Sequence, residues 1–161
     1  MFFRGRIPVT AELKTKGWPG DPICKLFGET KTAAHLIFNC RLSHFLWWAL
    51  KETFGWDHQP VSFDDFVDVA LRAPGDGSNF VGWAICGAAA WTIWLASNDY
   101  VFNNKLGASS LTNMFSVSSL LNQWKCMSPA RRKARWEAMV ERVKLTTRKL
   151  QLLISPRRGA G

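Results

Sequence analysis

Apolar residues recur with a helical period along most of the chain. In residues 42–54 they fall at every third or fourth position, and Gly55 follows as a stop signal. Ser62 can cap a second helix over residues 63–72, because its hydroxyl accepts hydrogen bonds from first-turn amides. The same signals predict further helices over residues 11–16, 80–102, 111–124 and 129–153. Their predicted caps are Thr10, Ser109 or Ser110, and Ser128, and Gly17 is predicted to end the first of them in a left-handed conformation.

The absence of convincing strand alternation makes the predicted fold all-α. The predicted architecture is a small degenerate zinc-knuckle-like module, then a helical bundle, then a basic carboxyl-terminal helix. Nine tryptophans and eleven phenylalanines predict an aromatic-rich core. We divide the chain into residues 1–57, 58–127 and 128–161, with a Pro- and Gly-containing loop at residues 73–79 as the best internal boundary.

The most apolar helix poses a choice between a membrane span and a core element. Residues 80–96 carry no charge, but a span needs about 20 such residues, and polar residues close this stretch on both sides. We therefore predict a core helix and no membrane partner. One apolar stripe should pack against the aromatic face of residues 42–54. Its members are Trp83, Gly87, Trp91 and Trp94.

Positive charge is concentrated at the carboxyl-terminal end. Of the net charge of +9, residues 128–161 contribute +8 through ten lysines and arginines against two glutamates. Three interpretations stay open: a solvated face on a docked helix, a surface that binds RNA or DNA phosphates, or a helix for a membrane surface or partner protein. The apolar stripe expected to dock this helix is Trp136, Met139, Val140, Val143, Leu150, Leu153 and Ile154. The candidate nucleic-acid-binding residues are Arg131, Arg132, Lys133, Arg135, Arg142, Lys144, Arg148 and Lys149.

Two cysteines and a histidine near the amino terminus have the spacing of metal ligands. Cys24 opens a Cys-x2-Phe-Gly turn, and His35 and Cys40 follow as His-x4-Cys. Structural zinc takes four thiolate or imidazole ligands in a tetrahedron, and Phe27 stands where a second turn cysteine would complete the set. We therefore expect zinc to be weakly bound or absent, with His44 as the candidate fourth ligand if it binds tightly.

These residues resemble the zinc-binding domain that follows the polymerase domain in reverse transcriptases of plant non-LTR (LINE-type) retrotransposons. The resemblance covers about residues 4–56, and a second, looser segment runs from Trp91 to Phe102 with Ser97 where arginine is usual. It implies a non-catalytic region that assists contact with template RNA or target DNA. The positions that carry the first segment are Arg6, Pro8, Thr10, Gly17, Cys24, Gly28, Glu29, Thr30, His35, Leu36, Cys40 and Trp47.

No constellation predicts catalysis. Phe63, Asp64 and Asp65 invite comparison with the paired aspartates of polymerases, but their place after Ser62 is that of acidic residues in a first helical turn. No nucleophile–base pair or phosphate-binding glycine loop is present, so we predict neither an enzyme nor a small-molecule substrate. Without a signal-peptide pattern, the four cysteines predict free thiols or a metal site inside the cell, in the nucleus or cytoplasm.

The function predicted from the sequence is that of a non-catalytic reverse-transcriptase fragment. Its zinc-binding-like domain would assist nucleic-acid contact, which the basic helix would make through phosphates. The alternative is a helical interaction or structural protein, or a decayed retroelement product, without a nucleic-acid role.

Overall fold

The computed structural model describes residues 8–72, 79–105 and 110–154. Within these ranges the fold is all-α, as predicted: the only extended pairing is an isolated antiparallel bridge between Ile23 and Thr30. The helices are α1 (Thr10–Thr15), α2 (Arg41–Phe54), α3 (Phe63–Arg72), α4 (Phe80–Asn103), α5 (Ser110–Trp124) and α6 (Lys133–Ile154). A π-helical turn, His35–Asn39, precedes α2, and two short 3-10 turns, Lys125–Met127 and Ala130–Arg132, lead into α6.

Most of the predicted helix boundaries are confirmed, but α6 begins at Lys133 rather than at residue 129, and the Ser128 hydroxyl, predicted to cap it, has no hydrogen-bond partner. The Ser62 hydroxyl accepts a hydrogen bond from the Asp65 amide at 3.1 Å, and Gly17 and Gly55 have φ values of +86° and +68°. The prediction that Thr10 caps α1 is wrong, because Thr10 lies inside the helix, Val9 precedes it, and no side chain caps it. The predicted cap at Ser109, the entry residues 6–7 and the loop at residues 73–78 lie outside the described residues.

The core forms where α4 packs between α3 and α5, while α2 and α6 both contact α5. Its largest fully buried side chains include Trp47 and Trp136, and each indole N–H finds a backbone acceptor. Trp47 donates to the Ile37 carbonyl at 2.7 Å, and Trp136 donates to the Leu121 carbonyl at 2.6 Å. Buried indoles with satisfied donors combine a large apolar area with a fixed orientation, so they define how the helices fit together.

Helix α4 is long and apolar enough to cross a membrane by length and composition alone, with a mean hydropathy of 1.5 in its most apolar window. In this structure 56% of that window is buried inside the protein. Its residues Ile85, Ala89 and Ile93 are fully enclosed by neighbouring helices. The helix therefore has the packing expected of a core element.

The predicted orientation of α4 is wrong. Trp91 is 45% exposed, and Trp83 and Trp94 are only partly buried. A Cβ at Gly87 would approach Trp124 of α5 rather than α2. The physical reason is that α4 is apolar on every side, so its periodicity cannot identify the buried face.

The apolar stripe of α6 is confirmed for most of its length. Trp136, Met139, Val140 and Val143 are buried against the bundle. The last turn differs from the prediction, since Leu153 is 80% exposed and Ile154 is 57% exposed. Helix α6 thus runs past the bundle at its carboxyl end. Pro156, whose ring cannot continue a helix, is predicted to end α6 and lies outside the described residues.

Candidate metal centre

A tight turn presents Cys24. The Cys24 carbonyl accepts hydrogen bonds from the amides of Phe27 at 3.1 Å and Gly28 at 2.7 Å. The Cys24 amide donates to the Glu29 carbonyl at 2.7 Å, and Gly28 has a φ of +75°, which a side chain would strain. The Cys-x2-Phe-Gly sequence therefore folds as the turn half of a knuckle.

The π-helical turn presents the other two residues. The Cys40 amide donates to the His35 carbonyl at 2.8 Å, so one wide turn spans the five-residue separation of these two residues. The Thr32 hydroxyl accepts from the His35 amide at 3.1 Å and fixes the start of the turn. Cys40 is extended and directly precedes α2, which anchors this half of the site to the bundle.

The three candidate ligands meet in one buried group. The Cys24 and Cys40 sulfurs lie 3.9 Å apart, and one ligand atom from each of Cys24, His35 and Cys40 lies within 4.8 Å of the others. Each side chain is at most 4% exposed. We call this Cys2His group the knuckle site, and it could hold a metal ion.

The imidazole of His35 is oriented as in a metal ligand. Its Nδ1 lies 3.1 Å from the Glu29 carboxylate, while its Nε2 is buried and has no hydrogen-bond partner. Metal-binding histidines usually donate one ring N–H to such a carboxylate and present the other nitrogen to the metal. The unpartnered Nε2 would thereby gain the partner that a buried polar atom requires.

The fourth position has no protein ligand among the described residues near the site. The Phe27 ring packs edge-on to His35, with ring centroids 5.8 Å apart, and remains 45% exposed instead of entering the core beside Leu36 and Phe38. His44 is exposed on α2 and does not belong to the group. The structure thus brings together three of the residues predicted from the sequence and leaves His44 outside.

A buried lysine next to the thiols was not anticipated. Lys31 is only 5% exposed, and burial lowers its pKa, whereas the nearby charges of Cys24 and Cys40 raise it. Burial also raises the pKa of the Cys40 thiol to about 11. In the sequence Lys31 lies in a polar segment between the turn and His35, and no local pattern there signals its burial.

A second group, His58, Asp65 and Asp68, also has ligand atoms within 4.8 Å of one another. Two of its members already have hydrogen-bond partners at the start of α3. Asp65 accepts a hydrogen bond from the Val61 amide at 2.9 Å and contacts His58 at 2.6 Å. Asp68 pairs with Arg72 one turn later. Asp64 and Asp65 lie in the first turn of a helix, as predicted. These carboxylates have structural partners and do not indicate a metal.

The basic residues of α6 separate into two flanks of the helix. One set recurs every seven residues and consists of Arg135, Arg142 and Lys149. Each member is rotated about the helix axis by only about 20° from the one before, so all three lie on one side of α6. We call this set the cationic row. On the other flank, Glu137 pairs with Lys125 and Glu141 lies 3.9 Å from Lys144. The mixed flank carries Lys133, Lys144 and Arg148 together with Glu137 and Glu141.

Two of the predicted basic residues also contact the bundle, and a third is partly buried. The Arg142 guanidinium donates to the Thr53 carbonyl at 2.8 Å and lies over the Phe54 ring, and Arg132 lies over Phe80. Arg135 is partly buried and has an interaction of its own. Arg131, Lys133, Arg148 and Lys149 are exposed. Some basic residues of α6 therefore hold the helix against the bundle, and others contribute positive charge to the surface.

Comparison with known proteins adds nothing to these assignments. No protein-family model, curated protein or solved structure matches the chain.

Proposed function

We propose that this chain is a non-catalytic nucleic-acid-binding module that contacts phosphates through α6. The observation that carries the proposal is the cationic row, because it combines one sign of charge with a fixed spacing on a helix docked to a rigid bundle. The resemblance to the zinc-binding domain of retrotransposon reverse transcriptases points to the same role, with RNA or DNA as the partner.

The geometry of the cationic row suits a polyanion. A rise of 1.5 Å per residue separates successive members by about 10.5 Å, so the row extends along about 21 Å of the helix. No member of the row is a carboxylate, although Arg135 has a partner of its own, and glutamates on the mixed flank offset part of the charge there. Lysine and arginine in such a row would bind phosphates without reading the base sequence.

The role of the cationic row in binding can be tested with two matched variants. Changing Arg135, Arg142 and Lys149 together to glutamine should weaken duplex DNA binding and reduce the slope of log K against log salt by about 0.9 for each phosphate that the protein no longer neutralises. Fluorescence anisotropy over a salt series measures both quantities. Deleting residues 128–161 would be a poorer test, because the deletion removes Trp136 and other core residues.

The control changes Lys133, Lys144 and Arg148 to glutamine and so removes the same charge from the mixed flank. Equal reductions of affinity in the two triple variants would contradict a role specific to the cationic row, and unchanged binding in both would contradict the proposed function. Because Arg142 also donates to Thr53, thermal melting must accompany the binding data. A double variant of Arg135 and Lys149 keeps that hydrogen bond and should still lower affinity.

We further propose zinc as the metal of the knuckle site. A tetrahedron with zinc–sulfur bonds of about 2.3 Å places two sulfurs about 3.8 Å apart, and the Cys24–Cys40 separation is 3.9 Å. His35 supplies a third ligand through Nε2. With three protein ligands the fourth position falls to water, so zinc should be held less tightly than in a four-ligand structural site. Bound zinc would fix the knuckle on α2.

Zinc affinity should rise with pH. Burial raises the pKa of the Cys40 thiol to about 11, so this thiol is protonated at neutral pH and must release its proton to bind zinc. That proton alone should increase the association constant about tenfold for each pH unit below the pKa. Competition with a chromophoric chelator at two pH values measures the change. A pH-independent affinity would exclude Cys40 as a ligand.

A second candidate function is helix-mediated protein interaction, and the exposed end of α6 favours it. Leu152 is 79% exposed and Leu153 is 80% exposed, although most apolar residues earlier in the helix are buried. An exposed apolar cluster of this kind can dock against a partner helix. An absence of salt-dependent nucleic-acid binding, with self-association removed by Leu153→Ser, would favour this function over the first.

A further inference from the structure

The outer surface of the knuckle combines aromatic rings with positive charge. The Phe27 ring is 45% exposed, and the Arg41 guanidinium lies 5.9 Å from its centroid. Trp48, two turns farther along α2, is 43% exposed and contacts Phe45 with ring centroids 5.7 Å apart. We call the surface formed by Phe27, Arg41, His44, Phe45 and Trp48 the knuckle face.

Helical spacing aligns the members of this surface that lie on α2. Arg41 and Trp48 are seven residues apart, which places them on one side of α2 at a separation of about 10.5 Å along the axis. His44 and Phe45 occupy the intervening turn on that side, where residues three and four positions apart are neighbours. The Arg41 contact with Phe27 then joins this row to the knuckle turn.

Metal binding and core packing do not account for Phe27, Arg41 and Trp48, whereas Phe45 packs partly against the core. Phe27 has no donor atom for a metal, and its exposure shows that it contributes little to the core. Within the described part of the chain, Arg41 has no ion pair, and its guanidinium lies over the Phe27 ring. The nearby Glu29 carboxylate is hydrogen-bonded to His35, although its side chain is 61% exposed. The knuckle face therefore exposes both ring surface and positive charge to a ligand.

We infer that the knuckle face binds single-stranded nucleic acid by stacking bases on Phe27 and Trp48 while Arg41 contacts a phosphate. Unpaired bases expose their faces for stacking on aromatic side chains, and the base pairs inside a duplex do not. The stretch of α2 from Arg41 to Trp48, about 10.5 Å long, accommodates two or three nucleotides. This inference rests on the proposed function and refines it: α6 supplies phosphate contact to any strand, and the knuckle face selects unpaired segments.

The test compares a short oligouridylate with a DNA duplex, each fluorescein-labelled, using the full chain. Phe27→Ala and Trp48→Ala should each weaken oligouridylate binding by about 5-fold or more, because a stacked base contributes at least that much, and should leave duplex binding unchanged. Phe27→Trp keeps a stacking ring and should retain affinity for the single strand. Arg41→Gln should lower single-strand affinity and reduce its salt dependence.

Two exposed aromatic residues elsewhere serve as matched controls. Phe115 of α5 is 46% exposed, close to Phe27, and Trp91 of α4 is 45% exposed, close to Trp48. Phe115→Ala and Trp91→Ala should leave both affinities unchanged. Equal reductions of affinity in the controls and the knuckle variants would overturn the inference, since the effect would then be a general one.

The outcomes separate this inference from the proposed function. If the chain binds duplex through the cationic row but Phe27→Ala and Trp48→Ala leave oligouridylate affinity intact, the knuckle face is not the stacking site and the proposed function stands. If the chain binds neither probe, both fail, and the exposed rings are better explained by docking of an apolar protein partner. If the cationic-row variant loses duplex binding and the knuckle variants lose only single-strand binding, both hold.

Discussion

Replacing Phe27 with cysteine should convert the knuckle site into a four-ligand zinc site. The Phe27 and Gly28 amides already bond to the Cys24 carbonyl, so residue 27 holds the second ligand position of the turn. A cysteine there would add a thiolate to Cys24, His35 and Cys40. Structural zinc sites in small peptides have apparent binding energies of about 10–16 kcal/mol, and the missing ligand should remove a large part of that in the native chain.

The variant should bind one equivalent of zinc and resist mild chelation, whereas the native chain should lose its metal. With zinc at 100 times the dissociation constant, the free energy of unfolding should rise by about 2.7 kcal/mol, because the metal binds only the folded form. For a chain of this length, that change corresponds to an increase in melting temperature of about 5–10 °C. Elemental analysis and thermal melting with and without zinc measure the two effects.

Phe27→Ser provides the matched control, since it removes the same ring without adding a thiolate. Any stability difference between the serine variant and the native chain gives the effect of removing the ring that packs against His35. If the native chain purifies with one tightly held zinc, the three-ligand description is wrong. If the cysteine variant gains no zinc affinity, residue 27 does not face the other ligands.

The local parts of this structure could be predicted because short-range chemistry determines them. Gly17 adopts the left-handed conformation predicted for it, Gly55 ends α2 as predicted, and Ser62 caps α3. The Cys-x2-Phe-Gly and His-x4-Cys spacings likewise predicted that Cys24, His35 and Cys40 would meet. For the caps and for each half of the knuckle the determining contacts lie within a few residues, so the sequence contains them directly, whereas Cys24 and Cys40 meet across 16 residues.

The parts that could not be predicted depend on contacts between distant segments. The face that α4 buries is set by α3 and α5, because the helix itself has no polar side to orient it. Arg142 resembled its exposed neighbours in sequence, yet it docks onto Thr53, which is 89 residues away. Lys31 is buried by the fold of the knuckle rather than by its neighbours in sequence. Periodicity and composition do not contain such long-range pairs.

Trp47→Ala should lower the free energy of unfolding by about 3–5 kcal/mol, the range measured for large aromatic residues removed from cores. Trp47 is fully buried and packs edge-on to Phe66, with ring centroids 5.9 Å apart. Trp91→Ala should cost less, about 1 kcal/mol, because Trp91 is 45% exposed and contacts Trp94 with ring centroids 5.0 Å apart. Chemical denaturation of both variants gives the two values. Equal costs would contradict the orientation of α4.

Trp47 also connects the core to the knuckle site through its indole N–H. Trp47→Phe removes this hydrogen bond and keeps most of the apolar side chain. Phenylalanine keeps most of the ring but cannot donate to the Ile37 carbonyl, which lies in the π-helical turn between His35 and Cys40. A buried acceptor left without a partner costs about 1–3 kcal/mol, so the turn that spaces the two ligands should loosen. Zinc affinity should therefore fall in Trp47→Phe and stay unchanged in Trp91→Ala. An unchanged zinc affinity in Trp47→Phe would mean that the turn holds its ligands independently of the core.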